Sequence, residues 1–97
     1  MINVAKIKIH PSDPRCFMYW DIATQDVNCF WVTGYYDRGW QWNGDFERPT
    51  VTPSILNSRP GFINHVYITN GKIEYLNDCT HDMAGQRVDM VDFPEDW

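Results

Sequence analysis

The dipeptide Asn70-Gly71 constrains the fold of this chain more than any other feature of its sequence. It separates two short runs of β-forming residues, 65–69 and 72–76, and Asn-Gly is the preferred two-residue type I′ turn of a β-hairpin. This turn sets a register in which two cross-strand pairs share one face. Those pairs are Val66–Tyr75 and Ile68–Ile73. We expect this face to point into a core, and we expect position 65 to lie near residues 79–81.

Five further segments carry strand signals, and none has a helical period. They are residues 3–10, 16–20, 29–36, 40–42 and 88–90. The first alternates apolar and polar side chains, and the others are rich in aromatic and β-branched residues. Prolines at both ends and in the middle lead us to interpret residues 49–60 as an ordered connector in which only 50–52 pair at an edge, because proline cannot donate to a central ladder.

The predicted fold class is therefore mainly β: a small single-domain antiparallel β-sheet or β-sandwich-like fold over residues 1–97. At most one or two short helical turns are expected, one of them at residues 82–84 and closed by Gly85. Ninety-seven residues are enough for one core and too few for two. Aromatic residues make up 15% of the chain, and each buries a large area, so few side chains can fill the interior.

The charge balance argues against nucleic acid as a partner. The formal net charge is −5, from 13 acidic and 8 basic residues, whereas phosphate binding depends on clustered Lys and Arg. The basic residues are scattered, and acidic residues gather near the end of the chain. Most such tails are simply solvated; the alternative is a surface that engages a basic partner. The candidate partner-binding residues are Asp89, Asp92, Glu95 and Asp96.

Targeting and redox signals point to a cytoplasmic protein. No apolar run approaches the roughly 20 residues of a membrane-spanning helix, and residues 1–10 lack the continuous apolar core of a signal peptide. The three cysteines are an odd set without a C-x-x-C pair, which predicts reduced thiols rather than a secreted disulfide framework. We therefore expect no membrane partner.

The strongest candidate for chemistry is the set His65, Cys79 and His81. Thiolate and imidazole groups are zinc ligands, and three of them plus a water would make a catalytic zinc site. Asp78 could be a further ligand or could orient a histidine. The alternative is that Cys79 is a buried apolar side chain and that the histidines only satisfy local hydrogen bonds. A nucleophilic Cys79–His81 pair is disfavoured, because side chains two apart on a strand point in parallel rather than toward each other.

A second feature is the run Trp40–Asp45 together with Pro53-Ser54-Ile55. We interpret it as an indole-filled core beside a glycine turn, with prolines that stiffen the chain. The functional alternative is an aromatic platform for a ligand or a base. The sequence contains no phosphate-binding loop, nucleotide fingerprint or hydrolase elbow.

Four motifs follow one another between residues 39 and 86. They are GWQWNGD at 39–45, PTVTPSI at 49–55, GKIEYL at 71–76 and DCTHDMAGQ at 78–86. In this order they resemble a widespread family of small phage and prophage proteins, some of which carry the label "ammonia monooxygenase". The resemblance covers about residues 39–90. It implies a phage or prophage origin and a small zinc-binding fold, and it carries over no particular activity.

Typical members of that family have a Cys-His pair where this chain has Asn64-His65, and an upstream Cys-Pro-Gly-Cys knuckle where this chain has an aromatic run. The resemblance therefore implies a zinc site that is incomplete, rebuilt with Cys16 or Cys29, or replaced by aromatic packing.

The leading hypothesis from the sequence is a non-enzymatic, phage-type module that binds a host or phage protein. One form of it is a stoichiometric inhibitor of a host component such as a defence protein, an expectation that rests on analogy. The alternative is a zinc-dependent hydrolase with His65, Cys79 and His81 as ligands and a bound water as nucleophile. A structural component of a virus particle is a third option, and formation of a homo-oligomer is left open.

Overall fold

The computed structural model describes residues 5–32 and 39–94, and it confirms the predicted all-β fold. Its strands form two antiparallel sheets, one of three strands in the order β1-β2-β3 and one of five in the order β4-β5-β6-β7-β8. The strands are β1 Ile7–His10, β2 Asp13–Asp21, β3 Asp26–Trp31, β4 Gln41–Trp42, β5 Val51–Arg59, β6 Phe62–Thr69, β7 Lys72–Tyr75 and β8 Arg87–Asp89. The described part of the chain contains no helix that could span a membrane.

The predicted hairpin is the centre of the larger sheet. Val66 pairs with Tyr75 and Ile68 with Ile73, and all four side chains are buried. Asn70 and Gly71 have φ angles of 50° and 76°, the positive values that a type I′ turn requires at both central positions. The Asn-Gly turn therefore fixes the register that the sequence predicts.

The interpretation of residues 49–60 as a connector is wrong. Nine of these residues form β5, which lies inside the larger sheet between β4 and β6. The prolines do not break the strand because of where they lie. Pro49 precedes it, Pro53 lies in an irregular stretch of the ladder, and Pro60 with Gly61 forms the turn into β6, where the φ of Gly61 is 77°.

Two other predictions are only partly met. The strand predicted at residues 29–36 is observed as β3, which begins earlier and ends at Trp31; residues 33–36, like residues 3 and 4 of the first predicted strand, lie outside the described residues. Residues 81–86 form hydrogen-bonded turns rather than a helical turn. Gly85 ends them with a φ of 81°, as expected for a residue that reverses the chain.

The two sheets share one core. Its members come from both sheets: Ile7, Phe17, Tyr19 and Phe30 from the first, and Val51, Ile55, Val66, Ile68, Ile73 and Tyr75 from the second. Phe17 contacts Trp42 across the sheets, with ring centroids 4.7 Å apart. A parallel bridge between Val32 and Trp40 also joins the sheets. The arrangement is therefore sandwich-like.

Candidate functional site

An irregularity in β5 determines where Ser54 lies. The pairing of β5 with β6 passes from Val51–Ile68 to Ile55–Val66, so three residues of β5 (52–54) face one residue of β6. Such a bulge bends a strand and re-aims a side chain. The indole nitrogen of Trp40 donates to the carbonyl oxygen of Ser54 over 3.1 Å, which holds the bulge from the β4 side.

Ser54 lies beside the imidazole of His65 on the neighbouring strand. The Ser54 Oγ and His65 Nε2 atoms are 2.8 Å apart. Asn64 and Val66, the neighbours of His65 along β6, are buried in the core. Because side chains alternate along a strand, the ring of His65 lies on the opposite, outer face of the sheet. The pair is therefore accessible from outside the sandwich.

A turn after β7 brings Asp78 to the other side of the same ring. The turn closes with a hydrogen bond from Cys79 N to Leu76 O of 3.1 Å. The Asp78 Oδ2 atom then lies 3.0 Å from His65 Nδ1. The side chain of Asp78 is 52% exposed and that of His65 is 23% exposed. Strands β5 and β6 and the turn after β7 thus supply a serine, a histidine and an aspartate, with the serine and the aspartate on the two ring nitrogens of the histidine.

The directions of these hydrogen bonds follow from the chemistry of the groups. An ionised carboxylate only accepts, so His65 Nδ1 carries the proton and donates to Asp78. In a neutral imidazole the other nitrogen then has a free lone pair, so Ser54 donates its hydroxyl proton to His65 Nε2. Both distances are within the reach that nucleophile activation requires. This arrangement can remove the proton of Ser54 when the oxygen attacks an electrophile.

The main chain of His65 is held by Cys79. The thiol sulfur is 3.2 Å from the amide nitrogen of His65 and 3.3 Å from its carbonyl oxygen. Thr80, the next residue, exchanges hydrogen bonds with Ile63 on the same strand. These hydrogen bonds hold the segment that carries Asp78 against β6. They therefore fix the distance between the Asp78 carboxylate and the His65 ring.

A buried carboxylate anchors the residue that precedes His65. Asp21, at the end of β2, is fully buried and accepts hydrogen bonds from the Asn64 amide and the Tyr75 hydroxyl of the other sheet. Thr24 and Asn28 also donate to it, over 3.0 and 2.9 Å. Burial, and then the hydrogen bond to Asp21, raise the pKa of Tyr75, so the hydroxyl stays protonated and continues to donate.

The structure brings the predicted metal ligands into one region without arranging them around a common centre. The ring nitrogens of His65 face Ser54 and Asp78, whereas His81 Nε2 is 2.8 Å from the Asn64 Oδ1 atom. Cys79 faces the main chain of His65. Within residues 5–32 and 39–94, no group of three or more His, Cys, Asp or Glu side chains is placed to hold a metal ion. Zinc binding thus stays a prediction without geometric support here.

The other two cysteines lie on the three-stranded sheet. Cys16 is on β2 and Cys29 is on β3. Burial, and then the neighbouring Cys29, raise the pKa of the Cys16 thiol to about 12, so this group is protonated at neutral pH. Within the described ranges, no third His, Cys, Asp or Glu side chain joins Cys16 and Cys29 in a group that could hold a metal ion.

The predicted acidic partner-binding residues are described only in part. Asp92 forms an ion pair with Lys6 at 2.6 Å, and Asp89 forms one with Lys72. The hydrogen bond and charge of Lys72 lower the pKa of Asp89. Glu95 and Asp96 lie outside the described residues. The role of these four residues in partner binding stays a prediction.

Sequence reasoning missed the role of Ser54 and recognised that of Asp78 only in outline. The sequence predicts a stiff connector around Ser54, and for Asp78 it predicts either a further zinc ligand or a group that orients a histidine. The signal that could have found Ser54 is Pro60-Gly61, a turn dipeptide between two runs of β-forming residues. Pairing residues 51–59 with 62–69 across that turn brings Ser54 next to the strand of His65.

The fold and the site together define a class: small all-β proteins with a Ser–His–Asp hydrogen-bond relay on the outer face of a sheet. The family described as "Bacterial ubiquitination-like system serine protease (BubE)" matches residues 24–76. This is more than half of the chain, and the chain belongs to that family. The matched segment contains Ser54 and His65 and ends two residues before Asp78.

No curated protein and no solved structure is significantly similar to this chain. The family match overlaps the motifs from residue 39 to 76, on which the resemblance to small phage and prophage proteins also rests. Its description names a bacterial system, so the phage origin stays a prediction.

Proposed function

We propose that this protein is a serine protease of a bacterial ubiquitination-like system, with Ser54 as nucleophile, His65 as general base and Asp78 as the group that orients the imidazole. The observation that carries the proposal is the pair of contacts on one ring, 2.8 Å from Nε2 to Ser54 and 3.0 Å from Nδ1 to Asp78. The description of the family agrees with this chemistry.

The proposed reaction is acyl transfer through a covalent intermediate. The Ser54 oxygen attacks the carbonyl carbon of the scissile bond, and its proton passes to His65 Nε2. Asp78 keeps the other ring nitrogen protonated and stabilises the imidazolium that forms. The histidine then gives its proton to the leaving amine, which departs and leaves Ser54 acylated. A water molecule, deprotonated by the same nitrogen, hydrolyses the ester and restores the serine.

The family description, which refers to a ubiquitination-like system, supports protein substrates. A protein partner was also the expectation from the sequence, although there as the target of a non-enzymatic module. The two hypotheses differ in one respect: a stoichiometric inhibitor needs no activated serine. A single measurement on Ser54 therefore distinguishes them.

The test is covalent labelling of the full chain with a fluorophosphonate, a compact probe that reacts with activated serines. We expect one adduct per chain, on Ser54, located by tandem mass spectrometry. Ser54→Ala abolishes the adduct, and Ser12→Ala, which removes an exposed serine of the β1–β2 turn, leaves it unchanged. Absence of labelling in the folded wild-type chain, or an adduct at Ser12, would contradict the protease proposal and favour the binding module.

A further inference from the structure

The nearest neighbours of His65 on the outer face of the larger sheet are apolar. Leu56 lies directly across from it on β5. On the other side Leu76 is its cross-strand neighbour, and the Leu76 amide donates to the carbonyl oxygen of His65 over 2.9 Å. Ile63 and Tyr67 lie two residues before and after His65 on β6, so their side chains leave the sheet on the same face. We call Leu56, Ile63, Tyr67 and Leu76 the apolar patch.

Two members of the apolar patch are exposed beside the reactive pair. Leu56 is 52% exposed and Tyr67 is 43% exposed. Leu56 faces His65 across the ladder, whereas Tyr67 faces the bulge that carries Ser54. These four residues form a block of two by two, with Ser54 and His65 on one diagonal and the two exposed side chains on the other. A substrate that reaches the Ser54 oxygen from outside the sandwich therefore approaches over Leu56 and Tyr67.

The outer face is polar beyond the apolar patch. The next outward-facing positions along and across the strands carry exposed hydroxyl or charged side chains: Thr52 and Ser58 on β5, Thr69 on β6, Glu74 on β7 and Arg87 on β8. The apolar area is thus bounded, and it surrounds the histidine of the relay. An apolar surface with a few placed polar groups is the usual composition of a site that binds an organic ligand.

The chemistry at Ser54 decides which part of a substrate meets this surface. When the serine oxygen bonds to the carbonyl carbon, the side chain of the residue that owns this carbonyl is attached only one atom away. It is therefore the substrate side chain closest to Ser54. An apolar side chain at this position would remove the exposed surface of Leu56 and Tyr67 from water. A charged side chain would instead lose part of its hydration against an apolar surface.

We propose that the apolar patch is the subsite for the acyl residue of the substrate, and that it selects substrates with a large apolar side chain at that residue. The relay activates Ser54, whereas the apolar patch decides which acyl group Ser54 accepts. Selection of this kind is expressed in kcat/KM, because the contact stabilises the transition state relative to the free protein and substrate. The inference rests on the proposed serine chemistry, since Ser54 defines the position of the acyl residue.

The test compares p-nitrophenyl acetate with p-nitrophenyl hexanoate as substrates of the full-length chain. Both esters acylate an activated serine and release the same nitrophenolate, so they differ only in the acyl chain, which in hexanoate stands in for an apolar side chain. The measured quantity is the ratio of kcat/KM for hexanoate to that for acetate, with the rates of Ser54→Ala subtracted. We expect the wild-type chain to favour hexanoate by about tenfold or more, because the longer chain covers more apolar surface.

Two substitutions remove the exposed members of the apolar patch. We expect Leu56→Ser and Tyr67→Ser each to lower the hexanoate preference by about threefold or more, because less apolar surface is left to cover. The matched control is Ile9→Ser. Ile9 is 43% exposed but lies on β1 of the other sheet, so its replacement should leave the preference within about twofold of the wild-type value. Circular dichroism verifies that each variant is folded.

The outcomes separate the subsite from the serine chemistry. A lower preference in either patch variant, with Ile9→Ser unchanged, supports the subsite. A wild-type chain that does not favour hexanoate overturns it, as does a preference that is unchanged in both patch variants or falls equally in Ile9→Ser. In these cases a reaction with acetate that depends on Ser54 leaves the serine protease proposal standing. A wild-type chain that reacts no faster than Ser54→Ala with either ester overturns that proposal, and this inference with it.

Discussion

The role assigned to Asp78 can be tested by Asp78→Asn, which keeps the size of the side chain and removes its charge. In the proposed reaction this carboxylate stabilises the imidazolium of His65. With Nδ1 and Oδ2 3.0 Å apart, the centres of the two charges are about 4 Å apart. At that separation the Coulomb energy is about 1 kcal/mol in water and about 4 kcal/mol at an effective dielectric constant of about 20.

Solvent exposure decides where between these limits the true value lies. The side chain of Asp78 is 52% exposed, so water screens much of the attraction, and we take about 2–3 kcal/mol. One factor of ten corresponds to about 1.4 kcal/mol, so Asp78→Asn should slow fluorophosphonate labelling by about 30- to 150-fold. His65→Ala should slow it further, because it removes the general base itself.

The matched control is Asp82→Asn, which makes the same charge change four residues later at an exposed position. It should label at the wild-type rate. The assay measures the second-order rate constant of labelling with the probe in excess over the protein. Circular dichroism verifies that each variant is folded. If Asp78→Asn and Asp82→Asn react equally fast, Asp78 does not stabilise the imidazolium and the relay is reduced to Ser54 and His65.

Four further outcomes follow from the structure. Asp21→Ala should lower the free energy of unfolding in urea by about 3 kcal/mol or more, because several buried donors lose their acceptor; an unchanged midpoint would show that the network adds no stability. Gly71→Ala should cost about 2–3 kcal/mol and Gly61→Ala only about 1, since both have positive φ but a Cβ at Gly71 would also meet backbone atoms 3.2–3.3 Å away; equal losses would refute the contact argument. Cys79→Ala should slow labelling by about fivefold, because the contacts of the thiol with the main chain of His65 are lost; labelling at the wild-type rate would contradict this. Removal of metal with EDTA should leave labelling within about twofold of its starting rate, since the relay uses protein groups only; a loss restored by zinc would revive the metal hypothesis.

Local sequence signals were sufficient for the hairpin and for the all-β class. Asn70-Gly71 acts within its own four residues, because both residues tolerate positive φ. The alternation of Val66 and Ile68 with polar neighbours then decides which face is buried. Such preferences act between residues close in the chain, so they can be recognised without knowledge of the remaining fold.

The candidate site could not be recognised in the same way. Ser54, His65 and Asp78 come from three elements, and each contact in the relay depends on the register between strands. Local sequence rules predict that Pro53 breaks a strand, whereas the tertiary structure accommodates it in a bulge of an internal strand. The same bulge turns Ser54 toward His65. The irregular stretch that makes β5 hard to recognise from the sequence therefore also places the serine beside the histidine.

The sequence by itself thus determined the type of secondary structure, the central hairpin and the nearness of position 65 to residues 79–81. Only the tertiary structure decided which partners His65 has: a hydroxyl and a carboxylate rather than the sulfur and nitrogen ligands of a metal. The physical reason is that hydrogen-bond partners are selected over distances of about 3 Å, and a bulge of a few residues in β5 changes which side chain lies within that distance.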